Sequence, residues 1–323
     1  MAMDVKAKER EDAMMAMVTG SRPPIQHDYE VVQMPHTDLP EFRYINYKGC
    51  LLPEMLVPGL REIEDFQFDT SDILICGFPK TGTTWMEEIV YQLMHEDDDP
   101  SDPCRKILKE RCPHLENVFE GIPLLKERSP PRSLKSHLPY QAMPQSFFRA
   151  KPKVICTVRN PKDNVISTYH FFQVLKYTGG YNGTLEQFCD AYIQGKIFAG
   201  PFWKHIQSFW EQRDSGHVLC VFYEDLQKEF KGEVRRIAEF LGLSLSDTRL
   251  EQIRQGCTFG AMKKNKSTNH EWEQVFDHTK GHFFRKGIVG DWKNSLSEEQ
   301  STEIDKVVAK ELTPLGINFC YEL

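Results

Sequence analysis

The sequence lacks three features that mark common protein classes. No window of its 323 residues holds the run of about 18 consecutive apolar residues that a membrane-spanning helix requires, and the charged N-terminal stretch MAMDVKAKEREDAMMAMVTG has no apolar centre typical of a signal peptide. Its nine cysteines are odd in number and irregularly spaced, which argues against a disulfide framework. Its net charge of −7 argues against a general binder of nucleic acid or of anionic membranes. We therefore expect a cytoplasmic protein that binds neither nucleic acid nor membranes.

The distribution of apolar residues predicts an α/β fold. Hydrophobic residues make up 40% of the chain and charged residues 27%, as in soluble globular proteins. Predicted strands cover 72–77, 133–137, 153–158 and 217–222. Predicted helices cover 83–95, 161–175, 184–194, 199–213, 229–241, 247–255 and 297–311. Strands that alternate with helices predict a central parallel sheet flanked by helices. We expect residues 1–40, which are polar and rich in methionine, to form a flexible extension, and residues 41–323 to form a single domain.

The stretch DILICGFPKTGTTWM, residues 72–86, predicts a site for an anion. It is a short apolar strand, a loop bounded by Gly77 and Gly82, and the first turn of a helix, which together form a P-loop-like unit. A helix that starts after such a loop offers unpaired backbone N–H groups to phosphate. The stretch is not a Walker A motif, because Thr83 stands where the lysine belongs and the lysine of the loop is Lys80. This displacement suggests a different arrangement of phosphates.

Four motifs together resemble the cytosolic sulfotransferases, which use 3′-phosphoadenosine 5′-phosphosulfate. They are FPKTGTTW at 78–85, LKSHLP at 134–139, VRNPKD at 158–163 and RKGIVGDWKN at 285–294. They follow the order and spacing of the family, and the resemblance covers about residues 40–323. It implies transfer of a sulfonate group from this nucleotide to the hydroxyl of a small hydrophobic acceptor, with no metal required.

The resemblance assigns most of the donor site. The 5′-phosphosulfate is expected at Lys80 and the first residues of the helix, where Lys80 stabilises the leaving phosphate. In the family, the 3′-phosphate contacts the positions of Arg159 and Ser167 and is closed over by the segment 285–287. Family residues at the positions of Trp85 and Phe259 stack on the adenine, and the family tyrosine at the position of Tyr223 forms a hydrogen bond with the edge of the base. The full set of predicted donor-site residues is Lys80, Thr81, Gly82, Thr83, Thr84, Trp85, Arg159, Ser167, Tyr223, Cys257, Phe259, Met262, Arg285, Lys286 and Gly287. Cys257 stands where vertebrate members often carry threonine.

His137 is the predicted catalytic base. An acceptor hydroxyl loses a proton as it attacks sulfur, and histidine is suited to take that proton near neutral pH. Lys135 lies two residues earlier and therefore on the same face of its strand, where it would support the transferring group. The resemblance identifies this segment as catalytic, so that His137, Lys80 and Lys135 form the predicted catalytic set.

The acceptor pocket and the assembly are less fully specified. Phe119, Phe171 and Phe172 are the predicted pocket residues, and an apolar pocket with one histidine suits a phenol, a sterol or another alcohol. Residues 265–284 are long for a connection and are predicted to form a mobile lid. The short segment through which family members commonly dimerise is altered after Lys293, so that both a monomer and a homodimer stay open.

Two other functions are compatible with parts of the sequence. A small kinase would need a lysine at position 83 and a carboxylate for magnesium, which the sequence does not clearly supply. A catalytically weak, sulfotransferase-like protein that binds nucleotide would keep the same motifs. Because the donor motifs are intact, we expect an active enzyme.

Overall fold

The computed structural model describes residues 25–37, 42–102, 104–176 and 180–323. The strands are β1 Val31–Gln33, β2 Arg43–Tyr47, β3 Cys50–Pro53, β4 Ile73–Gly77, β5 Ser133–Ser136, β6 Lys153–Val158 and β7 Val218–Phe222. The helices are α1 Leu60–Glu64, α2 Thr83–Met94, α3 Leu108–Arg111, α4 Gly121–Lys126, α5 Gln145–Ala150, α6 Pro161–Val174, α7 Leu185–Ile193, α8 Phe202–Trp210, α9 Tyr223–Lys228, α10 Phe230–Leu241, α11 Asp247–Gly256, α12 Phe259–Lys264 and α13 Glu298–Glu311. Short 3-10 helices cover Glu54–Gly59, Tyr140–Ala142, Arg213–Ser215, Asp291–Asn294 and Thr313–Leu315.

A four-stranded parallel sheet forms the centre of the fold, in the order β5-β4-β6-β7. All five residues of β4 are buried, because helices cover both faces of the sheet. Ile73 and Ile75 pack with α2, α10 and α11 on one face, whereas Leu74 and Cys76 belong to the larger core on the other. The predicted α/β fold class is confirmed.

The position of β4 explains where a ligand can bind. Strand β4 is followed by β5 on one side, whereas its neighbour on the other side, β6, is followed by β7 further out, so that the connections leaving β4 and β6 run in opposite directions. In open α/β sheets, such a switch point leaves a crevice at the carboxyl ends of the strands. The loop 78–82 follows β4 and lies at this place.

Helix starts follow from local capping. The Asn160 side chain accepts a hydrogen bond from the Asp163 amide at 2.8 Å, and Pro161 occupies the first turn of α6. Capping boxes begin α7 at Thr184 and α13 at Ser297. Each of these caps satisfies an amide that the first turn of a helix leaves without an acceptor.

Three structural features were not predicted. The strands β1, β2 and β3 form a separate antiparallel sheet, and several short helices, such as α12, stand where only loops were expected. Strand β1 pairs with β2 and Met34 is buried, so this part of the predicted N-terminal extension is joined to the domain. Residues 1–24 and 38–41 lie outside the described residues, and the predicted boundary at residue 40 stays a prediction.

Within the described part of the chain, no helix is both long and apolar enough to cross a membrane.

Candidate active site

One cavity lies at the carboxyl ends of the four parallel strands. Lys80 and the start of α2 follow β4, His137 follows β5, Arg159 follows β6 and Tyr223 follows β7, and all of them line the cavity. Parallel strands end at the same edge of a sheet, which explains how residues far apart in sequence meet here.

The loop after β4 is shaped to bind an anion. Lys80 has φ +67 and Gly82 has φ +101, so the backbone turns sharply before α2 begins. A Cβ on Gly82 would lie 2.9 Å from the ring of Tyr223, so only glycine fits there. No side chain caps the N-terminus of α2, and its first-turn amides have no acceptor within the helix. Thr83 and Thr84 line the cavity beside these amides.

Thr81 does not line the cavity with its neighbours. Its hydroxyl donates to the Phe78 carbonyl at 2.7 Å and lies 2.8 Å from the Thr157 hydroxyl. Its amide also lies 3.2 Å from the Phe78 carbonyl. The structure therefore gives this predicted donor-site residue the role of holding the loop closed.

Lys80 places its amine between two aromatic rings. Its Nζ lies 4.5 Å from the ring centroid of Phe171 and 3.8 Å from that of Phe283. Burial, followed by the positive charges of Arg159, Lys135 and Arg285, lowers the pKa of Lys80 from 10.5 to about 7. An anion in the cavity would favour the protonated amine and reverse this shift.

Two arginines and a lysine bring positive charge to the same end of the cavity. Arg159 donates to the carbonyls of Lys80 and Ile288, each at 3.2 Å. Arg285 and Lys286 pair with Asp291 at 2.7 and 2.6 Å. Burial would raise the pKa of Asp291, but the hydrogen bonds from these two side chains outweigh it and lower the pKa to about 2.

Gly287 lets this C-terminal segment approach α12 closely. Its φ is +68, and a Cβ there would lie only 2.1 Å from Cδ2 of Phe259. Ser167, on α6, also lines the cavity. The residues predicted for the 3′-phosphate therefore all line this cavity.

Aromatic and apolar side chains form the adjoining part of the cavity. Trp85 lies nearly parallel to Phe230 at 5.9 Å and edge-on to Tyr223 at 5.5 Å. Phe259, Cys257 and Met262 line the cavity nearby, and Cys257 and Met262 are buried. The Trp85 indole N–H is buried and has no hydrogen-bond partner among the described residues. A flat ligand with hydrogen-bonding edges would suit these surfaces.

His137 is held in the tautomer that a general base needs. Its Nδ1 lies 2.6 Å from the Gly77 carbonyl oxygen, which can only accept, so Nδ1 carries the proton and Nε2 has a free lone pair. Burial, then the neighbouring charges of His114 and Lys135, lower the pKa of His137 well below 6.5. The Glu116 carboxylate accepts a hydrogen bond from the His137 amide and fixes the backbone. The histidine is therefore neutral at physiological pH and is ready to accept a proton.

Lys135 lies in the same cavity but is paired. Its Nζ is 3.2 Å from Glu87 Oε1, and Glu87 is itself buried. Burial would lower the pKa of Lys135, but the negative charge of Glu87 outweighs this effect and raises it. Lys135 is thus a fixed cation, in contrast to Lys80.

Only one of the three predicted acceptor-pocket phenylalanines lines the cavity. Phe171 does so and contacts the Lys80 amine. Phe172 is fully buried and packs against Phe188 at 5.2 Å, and Phe119 packs against the larger hydrophobic core. Adjacent residues on a helix point about 100° apart, which explains why Phe171 and Phe172 face different surroundings.

Comparison with known proteins identifies the family. A family model described as the sulfotransferase domain matches residues 70–316. The chain belongs to the sulfotransferase family. This sulfotransferase is 34% identical to human sulfotransferase 1C2 over 282 residues, which are 85% of the chain and 95% of the relative. It is also 34% identical to sulfotransferase 1A1 of the dog, Canis lupus familiaris, over 296 residues, which are 90% and 99% of the two chains.

Solved structures agree with this assignment at the level of the fold. Retinol dehydratase in complex with androsterone and inactive cofactor PAP superposes with a TM-score of 0.79 at 20% identity, covering 91% of the sulfotransferase and 99% of that chain. Mouse sulfotransferase SULT7A1 complexed with PAP gives a TM-score of 0.69 at 24% identity, covering 83% and 94%. The family resemblance stated from the motifs is confirmed.

Several cavity residues of the sulfotransferase were missed by sequence reasoning. Gln227 donates to the Tyr223 hydroxyl at 2.9 Å and to the Gly287 carbonyl at 3.1 Å. The segment 265–284, predicted as a mobile lid, forms a wall of the cavity and is joined to the end of α6 by a bridge between Leu175 and Phe276. Its mobility stays a prediction. Further missed lining residues are Glu87, Lys109, His114, Glu116, Asn117, Glu120, Phe198, His270, Glu273 and Val275.

Proposed function

We propose that this sulfotransferase transfers a sulfonate group from 3′-phosphoadenosine 5′-phosphosulfate to the hydroxyl of a small hydrophobic acceptor in the cytoplasm. The observation that carries the proposal is that the anion-binding loop after β4 and a neutral histidine with a free Nε2 line one cavity. The two solved neighbours described above are complexes with PAP, which supports the choice of donor. Retinol and androsterone, the hydrophobic ligands of retinol dehydratase, support the choice of acceptor class.

The residues present fit the donor. The Nε groups of Arg159 and Arg285 and the indole N–H of Trp85 are buried without hydrogen-bond partners among the described residues. An unpaired buried donor is costly, so a ligand rich in acceptors would be favoured. Lys80 and the α2 amides would hold the 5′ group, while Arg159, Ser167 and Arg285 would hold the 3′-phosphate.

The reaction is a direct transfer in which this chain supplies a base and two cations. The donor supplies the sulfonate: as the acceptor oxygen bonds to sulfur, the bond from sulfur to the bridging oxygen breaks and adenosine 3′,5′-bisphosphate leaves. His137 Nε2 takes the proton of the acceptor hydroxyl, since Nδ1 already carries its own. Lys80 opposes the negative charge that develops on the leaving group, and the paired Lys135 is a fixed positive charge beside His137.

The experiment is transfer of labelled sulfonate to 2-naphthol by the purified protein. We expect a labelled sulfate ester, inhibition by adenosine 3′,5′-bisphosphate and no inhibition by an equal concentration of ATP–Mg²⁺. Bisphosphate binding without product would instead favour the nucleotide-binding alternative. Transfer of the γ-phosphate of ATP would refute the proposal in favour of a kinase.

A further inference from the structure

A histidine–glutamate pair in the cavity wall has no part in the proposed reaction. His270 and Glu273 lie in the segment 265–284 and line the same cavity as His137. His270 is only 5% exposed and has φ +60, a conformation that few residues other than glycine adopt. The turn is fixed by hydrogen bonds from the Thr268 hydroxyl to the Met262 carbonyl at 2.7 Å and from the Glu273 amide to the His270 carbonyl at 3.2 Å. The imidazole therefore has a fixed position.

The pair leaves one ring nitrogen without a partner. His270 Nδ1 lies 2.6 Å from Glu273 Oε1. Burial would raise the pKa of Glu273, but the nearby His270, Lys109 and Lys135 outweigh it and lower the pKa, so the group is a carboxylate and Nδ1 donates to it. His270 Nε2 is buried and has no hydrogen-bond partner among the residues described.

Aromatic rings surround the imidazole of His270. The ring of His270 lies 4.2 Å from that of Phe283 and 6.1 Å from that of Phe276. The ring of Phe283 also contacts the Lys80 amine, so His270 adjoins the part of the cavity where transfer is proposed. An unpaired buried nitrogen is costly, and each such group in a native structure needs an explanation.

Building on the proposed function, we propose that His270 Nε2 binds a second hydroxyl group of the acceptor. The preferred substrates then carry two hydroxyls on a hydrophobic skeleton, one at His137 and one at His270. A hydroxyl is a suitable partner because it can donate to a lone pair or accept from an N–H. An analogue that lacks this group would leave Nε2 unpaired, and sites of this kind reject such analogues.

The test compares matched acceptors that differ only at the far end. Phenols with an ω-hydroxyalkyl chain in the para position are paired with alkylphenols of equal length, over a series of chain lengths. For each pair, kcat/KM is measured with the donor, and Kd is measured on the enzyme saturated with adenosine 3′,5′-bisphosphate. The variants are His270→Gly, since glycine suits the positive φ, and the conservative His270→Asn. His278→Gly, at an exposed histidine of the same segment, is the matched control.

The proposal predicts that, at one or more chain lengths, wild type and His278→Gly prefer the diol over its alkyl partner by about tenfold, the effect of one buried hydrogen bond. His270→Gly removes this preference because kcat/KM falls and Kd rises for the diol but not for its alkyl partner. His270→Asn restores part of the preference. The proposal would be overturned if wild type showed no preference for the diol or if the preference survived in His270→Gly. It would also be overturned if His270→Gly lowered kcat/KM and affinity equally for the diol and its alkyl partner. Absence of turnover would refute the proposed function instead, and the Kd values would still decide the role of His270.

Discussion

The unusual environment of Lys80 predicts that the protein takes up a proton when adenosine 3′,5′-bisphosphate binds. Its pKa is lowered from 10.5 to about 7 by burial and by three neighbouring cations. Because one pKa unit is worth about 1.4 kcal/mol, the protonated amine is disfavoured by on the order of 5 kcal/mol relative to water. Binding of adenosine 3′,5′-bisphosphate places negative charge in the cavity and should return the pKa toward its ordinary value, so that binding takes up a proton.

The size of the uptake follows from the pKa. At pH 8 nearly all Lys80 amines are neutral before binding, which gives about 0.9 proton taken up per bisphosphate, whereas at pH 6 the value falls to about 0.1. At pH 8 the phosphates are already fully ionised, since their second pKa is about 6, and contribute little.

Calorimetric titration in two buffers of different ionisation enthalpy measures this uptake directly. Lys80→Met removes the titrating group, and Lys80→Arg keeps a positive charge that does not titrate. Both variants should lose the uptake seen in wild type at pH 8. An uptake that is the same in wild type and in both variants would refute the assignment of the titrating group to Lys80.

Three further predictions concern other parts of the molecule. Gly287 has a φ of +68, and a Cβ at this position would lie 2.1 Å from Phe259. Gly287→Ala should therefore weaken bisphosphate binding at least about tenfold in calorimetry, and an unchanged affinity would contradict this prediction. Asp72→Ala leaves the buried Arg132 without its carboxylate partner. The variant should have a free energy of unfolding in urea about 3 kcal/mol lower than wild type, with the Kd for bisphosphate unchanged, and equal stability of the two proteins would contradict this prediction. Because the pKa of His137 lies well below 6.5, the acid limb of the kcat/KM profile, where the base becomes protonated, should begin only below pH 6.5; an acid limb with its midpoint above pH 7 would be incompatible.

The central sheet was predictable because its signals are local. Strand β4 is an apolar run buried on both faces, and α2, α6 and α13 were predicted to within one residue of each observed end. Most residues predicted for the donor site line one cavity because they belong to short motifs, several of which directly follow the parallel strands. Lys80, Arg159 and Arg285 accordingly meet in the cavity.

The acceptor side was less predictable because loops build it. The segment 265–284 has no apolar periodicity, and its place depends on the long-range bridge between Leu175 and Phe276. The sequence could not distinguish Phe171 from Phe172, because the choice depends on the rotation of α6 against the core. The pairing of His270 with Glu273 likewise depends on a turn with positive φ that no motif indicated.

The central claim is that His137 takes the acceptor proton in the cavity that holds the nucleotide. We would measure transfer of labelled sulfonate to 2-naphthol by wild type, His137→Asn and His95→Asn, the last at an exposed histidine that follows α2. Loss of the base should lower kcat by about a hundredfold or more in His137→Asn, while Kd for adenosine 3′,5′-bisphosphate stays within a fewfold of wild type and His95→Asn is unaffected. Full turnover by His137→Asn would contradict the account.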